Sequence, residues 1–166
     1  MAEVYLSLGS NIGDRLENIN LAIDYINENI GEVICCSSVY ETEAWGINSS
    51  GMYLNQVILI KSNIKPISIL EKIWDIESKL GRVRVVDNKY ADRTIDIDIL
   101  FYDNHVIHGD YVTIPHPMLQ HRRFVLVPLC DIAADFVHPE LNKKVADLLQ
   151  VCKDDLKVQK FDPGFN

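Results

Sequence analysis

The chain lacks the marks of several large protein classes. Its four cysteines form no CxxC pair and no Cys/His cluster at zinc spacing, which argues against a structural zinc site. No apolar run approaches the ~20 residues of a membrane-spanning helix, and the amino terminus has no signal-peptide pattern. With 16 Lys and Arg against 24 Asp and Glu, the net charge is -8, which argues against general nucleic-acid binding. We therefore expect a cytoplasmic protein that binds neither membranes nor nucleic acid.

The common nucleotide-binding signatures are missing as well. A glycine-containing loop at 9–13 follows the first predicted strand, but neither GxxxxGK[ST] nor GxGxxG occurs, so a P-loop and a Rossmann site are both unsupported. At 166 residues, with 48% hydrophobic and 24% charged residues, the composition is that of an ordinary globular protein. We expect a single domain over residues 1–166 that acts as a monomer.

Hydrophobic periodicity predicts a β-α-β-β-α-β order. The predicted strands cover 3–8, 33–43, 53–61 and 95–99, and the predicted helices cover 14–30 and 66–80. This order is ferredoxin-like, an α+β class with a mainly antiparallel sheet and helices packed on it. After it we expect a buried apolar segment at 124–129, a short helix at 143–151 and a short strand at 156–161.

Acidic and apolar residues alternate strictly in the last strand of that core. Period two places Ile95, Ile97 and Ile99 on the core face, and Asp96 and Asp98 share the other face, roughly 6.5 Å apart. Two carboxylates that close repel each other, and a bound Mg²⁺ would relieve the repulsion. The alternative is an amphipathic strand whose outer face happens to be acidic. The basic residues nearby favour a metal–phosphate site.

Those basic residues gather in two groups. One group precedes the acidic strand and the other follows it: Arg82, Arg84, Lys89 and Arg93, then His116, His121, Arg122 and Arg123. Arginine forks suit phosphate oxygens, so we expect a polyanion bound together with metal. Solvated loops that pair with surface acids are the alternative. Residues 82–92 are long for a loop in a compact domain, and we predict that they form a lid.

Aromatic and amide side chains suggest a second ligand. Trp45, Tyr53, Asn55, Tyr90 and Phe124 would suit a planar heterocycle, stacked between rings and recognised by hydrogen bonds. Alternatively, the rings at 53 and 124 simply belong to the core. The amides at 55 and 56 alternate in facing, so one of them must point inward and find partners.

Taken in order, seven short segments resemble one known family. They are Leu8-Gly9-Ser10-Asn11, Tyr40-Glu41-Thr42, Tyr53-Leu54-Asn55, Gly81-Arg82-Val83-Arg84, Arg93-Thr94-Ile95-Asp96-Ile97-Asp98-Ile99, Pro115-His116-Pro117 and Arg122-Arg123-Phe124-Val125-Leu126-Val127-Pro128-Leu129. The chain resembles the 6-hydroxymethyl-7,8-dihydropterin pyrophosphokinases of folate biosynthesis from residue 1 to about residue 140. It departs from their pattern at Tyr90-Ala91-Asp92, where an aromatic-Gly-Pro run is common, and at Trp45 and Trp74.

The resemblance implies a ferredoxin-like enzyme that uses ATP and two Mg²⁺ to transfer pyrophosphate to the pterin hydroxymethyl group, leaving AMP. It implies metal binding by Asp96 and Asp98, and catalytic roles for these two with Arg82, Arg84 and Arg93. The implied ATP contacts are Glu77, Arg82, Arg84, Arg93, Ile99, His116 and Arg122. The implied pterin contacts are Thr42, Trp45, Tyr53, Asn55, Tyr90 and Phe124.

Two other classes compete with this interpretation. Metal-dependent nucleic-acid enzymes with ferredoxin-like palms also carry strand Asp pairs, although the acidic charge counts against that class. A ligand-sensing module of the same fold is the second alternative, although it would not need an Asp pair beside arginine clusters.

Overall fold

A computed structural model describes residues 1–44, 51–82 and 92–164. Its strands are β1 (Ala2–Ser10), β2 (Glu32–Cys36), β3 (Tyr40–Thr42), β4 (Tyr53–Ser62), β5 (Asp96–Tyr102), β6 (Ile107–His108), β7 (Thr113–Ile114) and β8 (Val158–Lys160). Its helices are α1 (Arg15–Asn29), α2 (Pro66–Lys79), α3 (Arg123–Ala133) and α4 (Val145–Val151). The main sheet has the order β5-β1-β4-β3-β8, with β2 also paired to β4, and every pairing in it is antiparallel. The predicted ferredoxin-like α+β fold is confirmed.

The sequence predicts one strand at 33–43, and this is wrong: β2 and β3 are separate. Both pair with β4, and the chain leaves the ladder at Ser37. The Ser37 hydroxyl accepts the Val57 N–H at 3.0 Å and donates to the Ser38 carbonyl at 2.7 Å. Asp131 of α3 accepts the Ser38 N–H at 3.1 Å. Side chains therefore satisfy the backbone groups that a continuous strand would pair.

An aliphatic core fills the space between the sheet and the helices α1 and α2. Its fully buried members include Leu6, Leu8, Ile19, Ile58, Ile73 and Ile97. Asp14 caps α1 by accepting the Glu17 N–H, and Pro66 begins α2. Gly31 lies where α1 meets the sheet. A side chain does not fit at this position, because a Cβ would come within 2.3 Å of the Lys61 carbonyl oxygen.

The opposite face of the sheet is covered at one end by α3 and α4. Tyr5, Phe101 and Phe136 form an aromatic cluster there, with the Phe101 and Phe136 ring centroids 4.6 Å apart. The apolar segment predicted at 124–129 is buried as expected and belongs to α3. The predicted short helix and last strand correspond to α4 and β8. None of the described helices is long and apolar enough to cross a membrane.

Candidate active site

The other end of this second sheet face is polar. The side chains change from apolar to polar over three rows of residues that cross β4, β1 and β5. Strand register places residues of β4, β1 and β5 side by side in each row. The apolar row is Leu59, Tyr5 and Phe101; the middle row is Val57, Ser7 and Asp98; the polar row is Asn55, Gly9 and Asp96. Paired residues of antiparallel strands share a face. The predicted pairing of Asp96 and Asp98 on one face is therefore present, with the alternating isoleucines buried behind them.

Arginines surround Asp96. Arg82 donates to Asp96 Oδ1 at 2.6 Å, and Arg93 donates to Oδ2 at 2.8 Å. Arg82 also pairs with Glu77, a carboxylate that is only 1% exposed and that accepts the Ile97 N–H at 2.9 Å. Burial lowers the pKa of Arg82, but the carboxylates of Asp96 and Glu77 raise it by more, so the net shift is upward. Glu77 therefore fixes Arg82 and β5 relative to each other.

Asp98 has one cationic neighbour and one imidazole neighbour, both at longer distance. His116 Nε2 and Arg122 Nη1 each lie 3.8 Å from its Oδ2 atom. Burial, followed by repulsion from Asp96, raises the pKa of Asp98 to about 7. The side chain nevertheless keeps 36% of its surface exposed, so solvent screens part of this effect.

His116 is a neutral donor in this arrangement. Burial, followed by the charge of Arg122, lowers its pKa to about 4. The Met118 N–H donates to His116 Nδ1 at 3.1 Å, so the ring proton resides on Nε2, the nitrogen that faces Asp98. His116 can therefore donate a hydrogen bond to an anion near Asp98 without itself carrying charge.

Three of the residues predicted to bind a heterocycle lie next to one another on β3 and β4. Asn55 is 3% exposed and donates to Thr42 Oγ1 at 3.0 Å. Gly9 leaves the space beside it, since a Cβ there would lie 3.1 Å from Asn55 Oδ1. Burial raises the pKa of Tyr53, and the charges of Arg93 and Asp96 both act on its hydroxyl. A polar amide edge and a phenol ring thus lie beside the charged cluster.

Neither amide on β4 is exposed. Gln56, on the opposite side of the strand from Asn55, is 8% exposed and donates to the Ser37 carbonyl at 2.7 Å. The expectation that an inward amide finds partners therefore holds on both faces. Phe124 is half-buried, and the Arg122 guanidinium carbon lies 5.8 Å from its ring centroid. Phe124 therefore lies against one of the two side chains that approach Asp98.

The structure does not bring every predicted residue to this face. Trp45, Arg84 and Tyr90 lie outside the described residues, as does most of the predicted lid at 82–92. The Ile99 side chain is 6% exposed and packs in the aliphatic core, so only its backbone, on the edge strand β5, could meet a nucleotide. Trp74 is 37% exposed on α2.

Asn11 has a structural role that the sequence patterns did not assign. Its Oδ1 accepts the Arg93 N–H at 2.6 Å, and its own N–H donates to the Arg93 carbonyl at 3.1 Å. Its Nδ2 donates to Asp92 at 2.7 Å. Asn11 therefore extends the β1–β5 pairing by one residue and holds the backbone of Arg93. A polar residue just after a strand is the only local signal, and it does not identify a partner 82 positions away.

The acidic pair fits Mg²⁺ better than a metal that needs a full protein cage. Among the described residues, no three His, Cys, Asp or Glu side chains are grouped to hold a metal ion. Mg²⁺ keeps several waters and is commonly bound by one or two carboxylates plus substrate phosphates. Burial, followed by repulsion from Asp96, raises the pKa of Asp98, and a dication bound to the pair would favour its charged form.

The fold and the charged face define an α+β protein whose sheet presents an acidic pair enclosed by arginines. The 7,8-dihydro-6-hydroxymethylpterin-pyrophosphokinase (HPPK) family matches residues 5–134, and the chain belongs to this family.

Two named relatives are similar over most of their length. The chain is 40% identical to the 2-amino-4-hydroxy-6-hydroxymethyldihydropteridine pyrophosphokinase of Aquifex aeolicus, over 89% of this chain and 90% of the relative. It is 41% identical to the enzyme of the same name from Porphyromonas gingivalis, over 84% and 96%.

A solved structure agrees in fold. The wild-type Plasmodium falciparum HPPK-DHPS with STZ-DHP superimposes with a TM-score of 0.73 and 17% identity. The match covers 90% of this chain and 43% of that longer chain. At this identity, the likeness concerns the fold alone.

Proposed function

We propose that the protein transfers the pyrophosphoryl group of ATP to the hydroxymethyl group of 6-hydroxymethyl-7,8-dihydropterin, giving AMP and the pterin diphosphate in folate biosynthesis. Membership of the family, with named relatives at 40% and 41% identity, carries this conclusion. The two alternatives left open by the sequence, a palm-type nucleic-acid enzyme and a sensing module, have no comparable support.

ATP would occupy the arginine-rich side of the site. Arg82 and Arg93 both donate to Asp96. A triphosphate offers each guanidinium a second anionic partner, and Arg forks bind phosphate oxygens in the same way as carboxylates. His116 and Arg122, both near Asp98, would contact the same polyanion from the other side. Arg84 joins this set from the sequence alone.

Asp96 and Asp98 would hold two Mg²⁺ ions. When bound, these ions would supply neutralisation of negative charge for the transfer. The protein residues supply position. Glu77 holds Arg82, and Asn11 holds the backbone of Arg93, so both arginines are oriented before substrate arrives. Preorganised donors stabilise developing charge with little reorganisation.

The pterin would bind where Asn55, Thr42 and Tyr53 meet the charged cluster. Gly9 has no side chain to cover the sheet surface beside Asn55, where a Cβ would already lie 3.1 Å from Asn55 Oδ1, so a flat ring can approach the backbone there. The Asn55 amide can recognise the hydrogen-bonding edge of the pterin, while Tyr53 and Phe124 can contact its faces. Trp45 and Tyr90 are assigned to this pocket from the sequence alone.

The remaining features of the proposal concern the whole protein. We infer one catalytic domain over residues 1–166 that works as a monomer in the cytoplasm. Its four cysteines are free thiols, which suits a reducing compartment. Sedimentation of the purified chain would test the monomer, because a dimer would double the measured mass.

Product identity is the decisive experiment. The protein is mixed with ATP, Mg²⁺ and 6-hydroxymethyl-7,8-dihydropterin, and the nucleotides are followed by ³¹P NMR. We expect AMP and the pterin diphosphate in equal amounts, and no AMP when the pterin is omitted. Accumulation of ADP would refute pyrophosphoryl transfer, and AMP formed equally without pterin would refute the acceptor.

A further inference from the structure

We propose that the protein has a second ligand site, for a small amphipathic anion, beside the carboxyl-terminal helix α4. A cavity of about 700 Å³ lies between α4, the 3₁₀ turn Leu119–His121 and the segment that follows α4. Its volume is in the range of pockets that hold drug-sized ligands. None of the residues assigned above to metal, ATP or pterin lines it.

The floor and wall of this cavity are apolar. They include Leu141, Leu148, Val151 and Cys152. Leu148 is buried, but Val151 is 62% exposed and Leu141 is 40% exposed. Apolar side chains that face a concave opening, rather than standing singly on a convex surface, gain the most from covering by an apolar ligand.

The rim of the cavity is cationic. Lys143, Lys153 and His121 line it, and all three are exposed. In the part of the chain that the structure describes, neither lysine is in a salt bridge. A protein with a net charge of -8 thus presents two unpaired ammonium groups at the mouth of an apolar cavity.

The one acidic residue in the lining offsets one of these two positive charges at most, and both of its oxygens accept backbone hydrogen bonds. Asp154 Oδ2 accepts the Arg123 N–H at 2.9 Å, and Oδ1 accepts the Leu156 N–H at 3.1 Å. Its carboxylate is therefore committed to the first turn of α3 and to the chain that follows α4. Glu140, next to Leu141 in the sequence, pairs with His108 at 3.0 Å.

This combination defines the chemistry of the ligand. An apolar body would cover the leucine and valine side chains, and one carboxylate, sulfonate or phosphate at its end would meet the two lysines. A purely inorganic anion would leave the apolar floor exposed to water. A neutral apolar molecule would leave the ammonium groups without a partner. The geometry therefore favours an organic anion with an apolar body.

The site can be tested with 1-anilinonaphthalene-8-sulfonate, an amphipathic anion that fluoresces when its rings leave water. The full chain is titrated with this probe in saturating ATP and Mg²⁺, which keeps the probe out of the nucleotide site. Changes in amide NMR signals locate the bound probe. We expect saturable binding at one site, with shifts centred on 119–121, 141–143 and 145–154.

Five variants distinguish binding in the cavity from effects of overall charge and of nonspecific apolar binding. Lys143→Glu and Lys153→Glu, made separately, and Val151→Asp should each weaken binding of the probe about fivefold. The matched controls are Lys157→Glu and Val137→Asp, the same changes at exposed positions outside the lining, and they should stay within about twofold of the parent chain. Circular dichroism melts confirm that each variant is folded.

Several outcomes would overturn the proposal. Equal weakening by Lys157→Glu would mean that only overall charge matters. Shifts centred away from α4, or binding that does not saturate, would mean that the cavity holds no amphipathic anion. Because the assay measures the probe and not turnover, it stands apart from the proposed pyrophosphoryl transfer.

Discussion

The two ends of one sheet face are built from the same three strands and have opposite chemistry. In the apolar row, Tyr5 and Phe101 pack under α3 and α4, and Phe101 is fully buried. Four residues further along β1 and β4, and five along β5, whose pairing with β1 shifts register beside Tyr5, the polar row places Gly9 beside Asn55 and Asp96. The three strands pair at both ends, and the one register shift between β1 and β5 lies at the apolar end beside Tyr5, so a loss of strand pairing does not account for the polar end. What differs is whether helices cover the face.

The apolar end contributes to folding stability, whereas the polar end is arranged for the proposed function. The apolar end removes large aromatic surface from water, which is the main favourable term in folding. The polar end partly buries Asp98 and brings it close to Asp96, which raises the pKa of Asp98 and costs folding free energy at neutral pH. Such a cost is expected where a site is arranged for ligands rather than for the unliganded protein. Substitutions at the two ends should therefore have opposite consequences.

The largest expected effect is on catalysis at the polar end. Asp96→Ala and Asp98→Ala should each lower kcat by about 10²-fold or more, since each removes a proposed metal ligand. The fold should survive, because both side chains lie on the half-exposed face and not in the aliphatic core. Turnover at saturating Mg²⁺, measured beside the thermal midpoint, checks this. Near-normal turnover of either variant would contradict the proposed metal role.

Phe101→Ala, at the apolar end, should lower stability and leave catalysis unchanged. Deleting a fully buried ring is expected to cost about 3–5 kcal/mol of unfolding free energy, because the cavity cannot collapse completely between Tyr5 and Phe136. The folded fraction should keep its activity per molecule. Urea unfolding gives the stability, and Phe101→Leu, which retains most of the volume, should lose much less. A specific loss of kcat without a loss of stability would remove the distinction between the two ends.

A smaller effect distinguishes the two ligands. Asn55→Ala should weaken pterin binding by about 1–3 kcal/mol and leave ATP binding nearly unchanged, because the lost amide belongs to the proposed pterin edge. Gln56→Ala is the matched control, since it deletes a buried amide on the opposite side of the same strand. Calorimetry should show no such selectivity for it. Equal losses of both ligands in the Asn55 variant would indicate a folding defect.

The smallest expected effect is the pH dependence of folding stability that arises from the partly buried Asp98 carboxylate. The folded-state pKa of Asp98, about 7, lies above the unfolded value near 3.8, so the folded chain holds its proton more tightly. Stability should consequently fall as pH rises from about 4 to about 7, and then stay level. Because 36% of the side chain is exposed, we expect a loss of only about 1 kcal/mol.

Asp98→Asn isolates this contribution. The variant should gain stability relative to the parent chain between pH 4.5 and pH 8, as measured by urea unfolding without metal. The lowered pKa of His116 acts in the opposite direction below pH 6.5 but is common to both chains. Added Mg²⁺ should stabilise the parent chain preferentially and shrink the difference. A difference that does not change with pH would show that Asp98 is ionised without cost.

Local patterns predicted much of the fold. Helical spacing of apolar residues located α1 and α2 within a residue or two of their ends, with helices predicted at 14–30 and 66–80. The apolar run at 124–129 was predicted to be buried but not to be helical, since a short apolar run that contains Pro128 has no decisive period. The break at Ser37 was missed because its cause is a partner on another strand and another on α3.

By itself, the sequence determined which side chains alternate along β5, and therefore that Asp96 and Asp98 share a face opposite buried isoleucines. A two-residue period requires nothing beyond the strand itself. Only the tertiary structure decided what surrounds that pair: Glu77 behind Arg82, His116 and Arg122 beside Asp98, and α3 and α4 over one half of the sheet and not the other. These contacts join residues far apart in the chain. Their geometry depends on strand register and helix docking, which no local pattern encodes.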